Sequence, residues 1–371
     1  MNALMAVHPG PVRRRGPSLT VDLDAVAANT KLFAARTEGA LMAVVKADGF
    51  GHGAVGVART ALSNGASWLG VTSIDEALPL RDAGLRAPVL SWLNPLDADF
   101  ATAIGSRVDL AVPSREHLDA ICRAGIGARI HLQLDTGMAR DGAAPSAWAA
   151  LCRAARHAER LGSVSVVGVM GHLGCADEPA DPDNAAGRTR FAWGIEVARA
   201  SGLRPPLRHL AATAATLTDP LSHHTMSRVG AGLVGIDPSH TTVLSPAMTL
   251  TAPVVGVRRV RAGTPVGYGH AWSAPRATNL ALLPLGYADG LPRASYGRAE
   301  VSLRGVRHQV VGRISMDQVV VDVGEATVAV GETATVFGPG HAGEPTVAEW
   351  ASWADTIEHE IVTGIGSRVA R

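Results

Sequence analysis

From residue 18 to about 235 the chain alternates short apolar runs with amphipathic stretches, and this alternation constrains the fold more than any single motif. The apolar runs are Leu41–Val45, Trp68–Val71, Pro88–Trp92, Val108–Val112, Arg129–Leu134, Val164–Met170, Leu207–Leu210 and, more weakly, Val229–Ile236. Helical spacing lies between several of them. Ala25–Arg36 carries Val26, Leu32 and Phe33 on one side. Ser114–Ala124 opens on a serine cap and carries Leu118, Ile121 and Cys122, and Pro145–Arg160 begins at a proline and carries Trp148, Leu151 and Cys152. Strand then helix, about eight times over roughly 220 residues, is the pattern of a (β/α)8 TIM barrel. A doubly wound sheet with fewer strands is the alternative.

After residue 248 the pattern changes. Thr249–Arg261, Ala277–Pro284, Ala299–Arg304, His308–Gly312, Gln318–Val323 and Thr333–Phe337 are rich in Val and Thr and are separated by Gly and Pro. One helical pattern stands out, Thr346–Trp353. This reads as a second, mainly β domain. The expected organisation is an N-terminal tail over 1–17, a barrel over 18–247 and a β-rich C-terminal domain over 248–371, with no internal repeat.

Apolar residues make up 47% of the 371 and charged residues 18%, enough for a buried core and contrary to disorder. Formal net charge is +1 with both signs interspersed, which points away from a nucleic-acid or membrane-binding face. The cluster Arg13-Arg14-Arg15 reads as a solvated tail. Cys122, Cys152 and Cys175 are odd in number and form no CxxC, so neither a disulfide framework nor a zinc site is expected. No apolar run reaches the roughly 18 residues of a membrane span, and no apolar stretch follows the basic N-terminus, so the expected location is cytoplasmic.

In a barrel of this kind the active site forms at the C-terminal ends of the strands. Polar residues just past the apolar runs are therefore the candidates: Lys46 with Asp48, Asp135 and Thr136 with Arg140, His172, Thr213, and Arg228. Lys46 closes the run Leu-Met-Ala-Val-Val and precedes Gly49-Phe-Gly-His-Gly53. A lysine amine partly desolvated at a strand end has a lowered pKa and a lone pair available for Schiff-base chemistry. A lysine snorkelling from the strand end is the plainer reading. The composition weighs on this choice. Lysine and arginine together number 34, yet only Lys31 and Lys46 are lysines, so a lysine that persists can be doing what a guanidinium cannot.

Gly230-Ala-Gly232-Leu-Val-Gly235 fits GxGxxG. A dinucleotide site needs a strand before it and an acidic residue about 20 positions on. Ser222–Arg228 does not read as a strand, and Pro238–Ala262 holds no Asp or Glu. A glycine-rich anion cradle of another kind remains. The 14 histidines show no metal-ligand spacing, so no metal is expected, and GxSxG is absent.

These residues resemble the alanine racemase family, pyridoxal-phosphate (PLP) enzymes of fold type III. The resemblance runs from about Val21 to Arg371. Its landmarks are Val21-Asp-Leu-Asp24, Ala43-Val-Val-Lys-Ala-Asp-Gly-Phe-Gly-His-Gly53, His131-Leu-Gln-Leu-Asp-Thr-Gly-Met-Ala-Arg140 and Gly168-Val-Met-Gly-His-Leu173. Further along stand Val266-Gly-Tyr-Gly269, Pro284-Leu-Gly-Tyr-Ala-Asp-Gly290, Val311-Gly-Arg-Ile-Ser-Met-Asp-Gln318 and Gly366-Ser-Arg368. The resemblance implies a PLP barrel plus a β domain in a head-to-tail homodimer, acting on a small-molecule amino acid. Lys46 matches the lysine that carries the cofactor, and Tyr268 the tyrosine that reaches into the partner subunit's site. Together they would be the acid and base on opposite faces of the substrate Cα. A tyrosine needs cationic neighbours to act as a base at neutral pH, and His172 and Arg228 match residues of its network. Arg228 also matches the arginine facing the pyridine nitrogen. Arg140 matches the arginine near the ring hydroxyl and the substrate carboxylate, Thr213, Gly230 and Ala231 match phosphate-binding positions, and Met316 lies where a backbone N–H meets the substrate carboxylate.

The chain departs from the family pattern at several positions. Phe50 stands in place of a tyrosine that bonds the cofactor phosphate, and His359 replaces another near that phosphate and the substrate entrance. Gln133 occupies the position often held by a carbamylated lysine that orients Arg140, so a bound anion or water is expected to assist. Ala212 replaces a common Asn, Val229 a Pro and Ser315 a Cys. The main reading is an alanine racemase. The alternatives are a racemase for serine or another small amino acid, a PLP-binding homologue with weak or no turnover, and a decarboxylase or lyase of the same fold type.

Overall fold

The computed structural model describes residues 16–371, so the Arg13-Arg14-Arg15 cluster and most of the expected tail lie outside the described residues. Two compact units emerge: Asp22–Ala247, and Met248–Arg371 with residues 16–21.

In chain order the strands of the first part are β1 (Ser18–Val21), β2 (Ala40–Val44), β3 (Trp68–Val71), β4 (Val89–Ser91), β5 (Val108–Val112), β6 (Ala128–Gln133), β7 (Val164–Met170), β8 (Leu207–His209) and β9 (Met226–Val229). β2 to β9 form an eight-stranded parallel sheet in the order β8-β7-β6-β5-β4-β3-β2-β9. The seam between β8 and β9 is bridged by Thr225 N–H to Arg208 O (3.1 Å), Arg228 N–H to Ala211 O (3.0 Å) and Arg208 N–H to Thr225 Oγ1 (2.8 Å). The sheet is thus a nearly closed barrel. Its strands read as continuous apolar runs because parallel strands are covered on both faces; every residue of β3 and β5 is buried.

The helices between the strands start where the side chains dictate. Asp22 caps Leu23–Arg36 by accepting from the Asp24 and Ala25 N–H groups. Ser114 caps Arg115–Ala124 as expected, and Pro145 opens Pro145–Arg160, where a missing N–H costs nothing.

The sequence reading needs two corrections. Ser18–Val21, expected in the barrel, pairs antiparallel with Met248–Pro253 and belongs to the other unit. The last barrel strand is Met226–Val229, not Val229–Ile236, and Ala231–Val234 is a 3-10 turn. The strand judged missing before the glycine motif is therefore present. Four residues carrying a serine and an arginine showed no apolar period, yet all four are buried.

The second unit continues with β10 (Met248–Pro253), β11 (Gly256–Val260), β12 (Pro265–Val266), β13 (Trp272–Ser273), β14 (Thr278–Leu283), β15 (Glu300–Leu303), β16 (Val306–Val311), β17 (Val319–Gly324) and β18 (Thr333–Phe337). Eight strands form one antiparallel sheet, ordered β1-β10-β18-β15-β16-β17-β14-β11. Val347–Ala354 is held by a capping box of Thr346 and Glu349, and its Trp350 donates Nε1–H to Val336 O (2.8 Å). A second helix, Glu358–Gly364, was not read from the sequence. Among the described residues no helix is long and apolar enough to cross a membrane.

Candidate active site

Lys46 stands two residues past the end of β2. The next four residues, Ala47, Asp48, Gly49 and Phe50, have φ of 50°, 52°, 64° and 57°, a single left-handed turn. Each L-residue in that conformation costs about 1–2 kcal/mol, so the turn needs outside support. Glu76 supplies it: Oε1 accepts the Ala47 N–H at 2.7 Å, while Oε2 accepts the N–H (2.8 Å) and Oγ1 (2.7 Å) of Thr72. Asp48 Oδ1 accepts the Ala54 N–H at 2.8 Å and so joins the turn to the helix Ala54–Ser63.

Burial pulls the Lys46 pKa below the usual lysine value, the charge of Arg140 adds to this, Glu76 opposes it, and Arg228 lowers it further. The result is a larger share of neutral amine, the form that attacks a carbonyl. The Glu76 carboxyl is held below the usual range. Its burial alone would raise it, and the hydrogen bonds from Thr72, Ala47 and Ser73 outweigh that.

Arg228 lies in β9 and is only 5% exposed. Nη1 donates to His209 Nδ1 (3.0 Å) and His209 O (2.8 Å). Nη2 donates to Gly171 O (2.7 Å), Leu210 O (3.2 Å) and His172 Nδ1 (3.3 Å). Both Nη atoms are thus committed to the protein, which leaves the Nε–H edge to face a ligand. Burial brings the guanidinium pKa down to about 10, still well above neutrality, so the group stays charged.

His172 follows β7. Thr136 clamps its backbone by donating Oγ1–H to His172 O and accepting the His172 N–H at 3.1 Å. Burial first, then the charges of Arg228, Arg140 and Lys46, push the imidazole pKa down to about 3. The ring is neutral at ordinary pH, and since Arg228 donates to Nδ1, the His172 proton sits on Nε2. His172 can donate a hydrogen bond to a phenolate but brings it no charge.

Arg140 is exposed and ends a loop organised by Asp135, whose Oδ1 accepts from Gly137 N (2.9 Å), Met138 N (3.0 Å) and Ala139 N (3.2 Å). Gln133, at the end of β6, donates Nε2–H to Asp141 at 3.0 Å, and its buried Oε1 has no hydrogen-bond partner among the described residues.

Thr213 begins the helix Thr213–Thr218, and its Oγ1 accepts the Gly230 and Gly232 N–H groups, each at 3.3 Å. Ala231 lies between those glycines and is buried. Phe50 packs on the same loop: a Cβ on Gly230 would lie 2.6 Å from Phe50 Cζ. A Cβ on Gly232 would lie 2.4 Å from the Phe33 ring. These glycines make room for aromatic rings rather than for unusual φ.

The remaining expected residues lie in the β-rich unit. Tyr268 sits in the short turn Tyr268–His270 and is 70% exposed. Met316 is exposed, and its carbonyl accepts the Ala288 N–H at 3.0 Å. Its loop is tied by Arg368, which pairs with Asp317 (2.6 Å) and Asp289 (3.2 Å). His359 is half-buried in the helix Glu358–Gly364, and its carbonyl accepts Thr363 Oγ1–H at 2.6 Å.

Within the barrel unit, then, Lys46, Arg140, His172 and Arg228 lie in mutual electrostatic reach, with Thr213, Gly230 and Ala231 at the neighbouring strand ends. Three cations converge, and the carboxylate acting on Lys46, Glu76, already has both oxygens engaged. Such a cluster fits a ligand that brings several negative charges, such as a phosphorylated aldehyde together with an amino-acid carboxylate. Glu76, Asp109, His131 and His209 were missed from sequence. Their signal was an acid five residues past a strand end, and single polar residues inside apolar runs.

Two family models match: Alanine racemase, N-terminal domain, over residues 21–238, and Alanine racemase, C-terminal domain, over 247–371. A protein of Thermobifida fusca named alanine racemase is 47% identical over 359 residues, spanning 95% of this chain and 96% of that protein. The crystal structure of alanine racemase from Streptomyces lavendulae superposes with a TM-score of 0.94 at 42% identity, covering 96% of this chain and 97% of the other. The Bacillus anthracis enzyme with bound L-Ala-P superposes with a TM-score of 0.88 at 29% identity, over 97% and 95%.

Proposed function

The chain belongs to the alanine racemase family, and from that membership we propose that it interconverts L- and D-alanine with PLP carried on Lys46. The observation that supports this best is the half-buried Lys46, with its lowered pKa, at a strand end beside Arg140, Arg228 and His172. The high-coverage relatives are named alanine racemase, which favours this reading over a serine racemase or an inactive PLP binder.

PLP, when bound, supplies the electron sink that makes the substrate Cα–H acidic. The residues of this chain do the rest. Thr213, Gly230, Ala231 and His359 would hold the phosphate, and Arg140 and the Met316 N–H would hold the substrate carboxylate. Arg228 would face the ring nitrogen. A guanidinium with a pKa of about 10 keeps its proton, so Arg228 would leave that nitrogen unprotonated and moderate the sink. Racemisation removes a proton from one face of Cα and returns one to the other. Lys46 Nζ would serve one face and the partner subunit's Tyr268 the other, in a head-to-tail homodimer. The exposure of Tyr268 supports a role outside its own unit's core.

Incubation of the PLP-loaded enzyme with L-alanine in heavy water tests the reading. Deuterium at Cα together with D-alanine is the expected result. Carbon dioxide release, or no exchange at all, would overturn it.

A further inference from the structure

Among the described residues, the hydrogen-bond partners of the buried Arg228 cation are all neutral: two imidazole nitrogens and three backbone carbonyls. A charge buried in this way is costly unless something compensates it. From Arg228 a line of hydrogen bonds runs across the barrel interior. His209 Nδ1 accepts from Arg228, His209 Nε2 lies 2.9 Å from His131 Nδ1, and His131 Nε2 lies 3.3 Å from Asp109 Oδ2. Both rings are fully buried, and Asp109 is 2% exposed. Arg129, half-exposed, holds the outer end by donating Nε–H to Asp109 at 2.9 and 3.2 Å.

The line runs from β9, which carries Arg228, to β5, which carries Asp109. His131 is on β6 and His209 on β8, with β7 between them. The two rings can meet because β7 carries Gly168 there: a Cβ at that position would sit 2.1 Å from His131 Nδ1. Gly168 pairs with His131 in register. Its φ is not in the left-handed region, so room, not backbone freedom, is what the glycine provides.

The proton positions follow in one direction only. A guanidinium can only donate, so His209 Nδ1 must be bare. Burial lowers the pKa of both imidazoles, which keeps them neutral. A neutral His209 then carries its proton on Nε2 and gives it to His131 Nδ1. A neutral His131 in turn carries its proton on Nε2 and gives it to the Asp109 carboxylate.

We propose that Asp109 is the counter-charge of Arg228, and that His131 and His209, packed through the gap left by Gly168, form a fixed relay of positioning residues between them. The relay aligns two imidazole dipoles with a cation at one end and an anion at the other, each bond polarising the next. Its purpose rests on the racemase reading, in which Arg228 must stay charged and aimed at a ring nitrogen. Its existence does not, since the cofactor-free protein contains every member.

Nitrogen-15 NMR of the histidines in the cofactor-free protein is the test. His131 and His209 are each expected to show one protonated nitrogen, Nε2, and one bare nitrogen, Nδ1, at neutral pH. A doubly protonated ring, or a proton on Nδ1 of either, would overturn the relay. In Asp109→Asn the amide oxygen still accepts from His131, yet the bare Nδ1 of His209, two rings away, is expected to shift in frequency. Turnover of the loaded enzyme should fall about tenfold with KM held. An unmoved His209 signal would overturn the proposal. If Asp109→Asn fails to fold, the wild-type spectrum alone still decides. A protein with the expected spectrum but no alanine exchange would fail as a racemase and keep the relay.

Discussion

Glu76 Oε1 accepts the Ala47 N–H at 2.7 Å, so the residue after the candidate catalytic lysine is pinned by a carboxylate from the next strand–helix unit. The same carboxylate also fixes Thr72 at the end of β3. It therefore sets the left-handed turn and the electrostatics of Lys46 together. Glu76→Gln removes a negative charge that raises the Lys46 pKa. Amine acylation of Lys46 in the cofactor-free protein, followed against pH, should give a midpoint displaced to lower pH than in the wild type. Glu76→Ala should also cost about 1–3 kcal/mol in urea unfolding, because the Ala47 and Thr72 donors lose a charged acceptor. An unchanged midpoint in the glutamine variant would mean that the turn, not the charge, is all that Glu76 governs.

His172 gives the second prediction through linkage. Its folded pKa is about 3, against an unfolded value near 6.5. The unfolded chain binds its proton first. The stability tied to neutral His172 is therefore complete above about pH 6.5 and is lost as pH falls towards 3, at up to about 1.4 kcal/mol per pH unit. His131 and His209 shift in the same direction and add to the slope. Tm measured between pH 7 and 4 should fall more steeply for the wild type than for His172→Gln. Parallel curves would contradict the neutral assignment.

Phe50 carries the third prediction. Its buried ring fills the space beside Gly230, where the family pattern has a phenol reaching the phosphate. Phe50→Tyr keeps the ring and adds the donor. PLP retention under dialysis should tighten about tenfold, the scale of one hydrogen bond to a charged group. Equal or weaker retention would place the phosphate elsewhere.

The fold was largely legible because parallel strands buried on both faces are unbroken apolar runs. Seven of the eight barrel runs coincide with observed strands to within two residues at each end. The eighth was misplaced because Met226–Val229 carries Ser227 and Arg228, which break the apolar pattern, and Arg228 is held in place by residues distant in the chain, His209 and Gly171. Ser18–Val21 was assigned to the wrong unit because its partner, β10, lies more than 200 residues away. Lys46, Arg140, His172 and Arg228 were legible as polar residues at strand ends. Glu76 and the Asp109–His131–His209 line were not. Their meaning lies in pairings across strands, and the register that makes those pairings is invisible in any one segment.

Lys46 remains the centre of the account, and a direct measurement reaches it. The PLP-loaded enzyme is treated with borohydride, digested and mapped by mass spectrometry. With only Lys31 and Lys46 present, the assignment is binary. The account predicts a cofactor-derived mass on the peptide containing Lys46 alone. The same mass on Lys31, or on neither lysine, would contradict it.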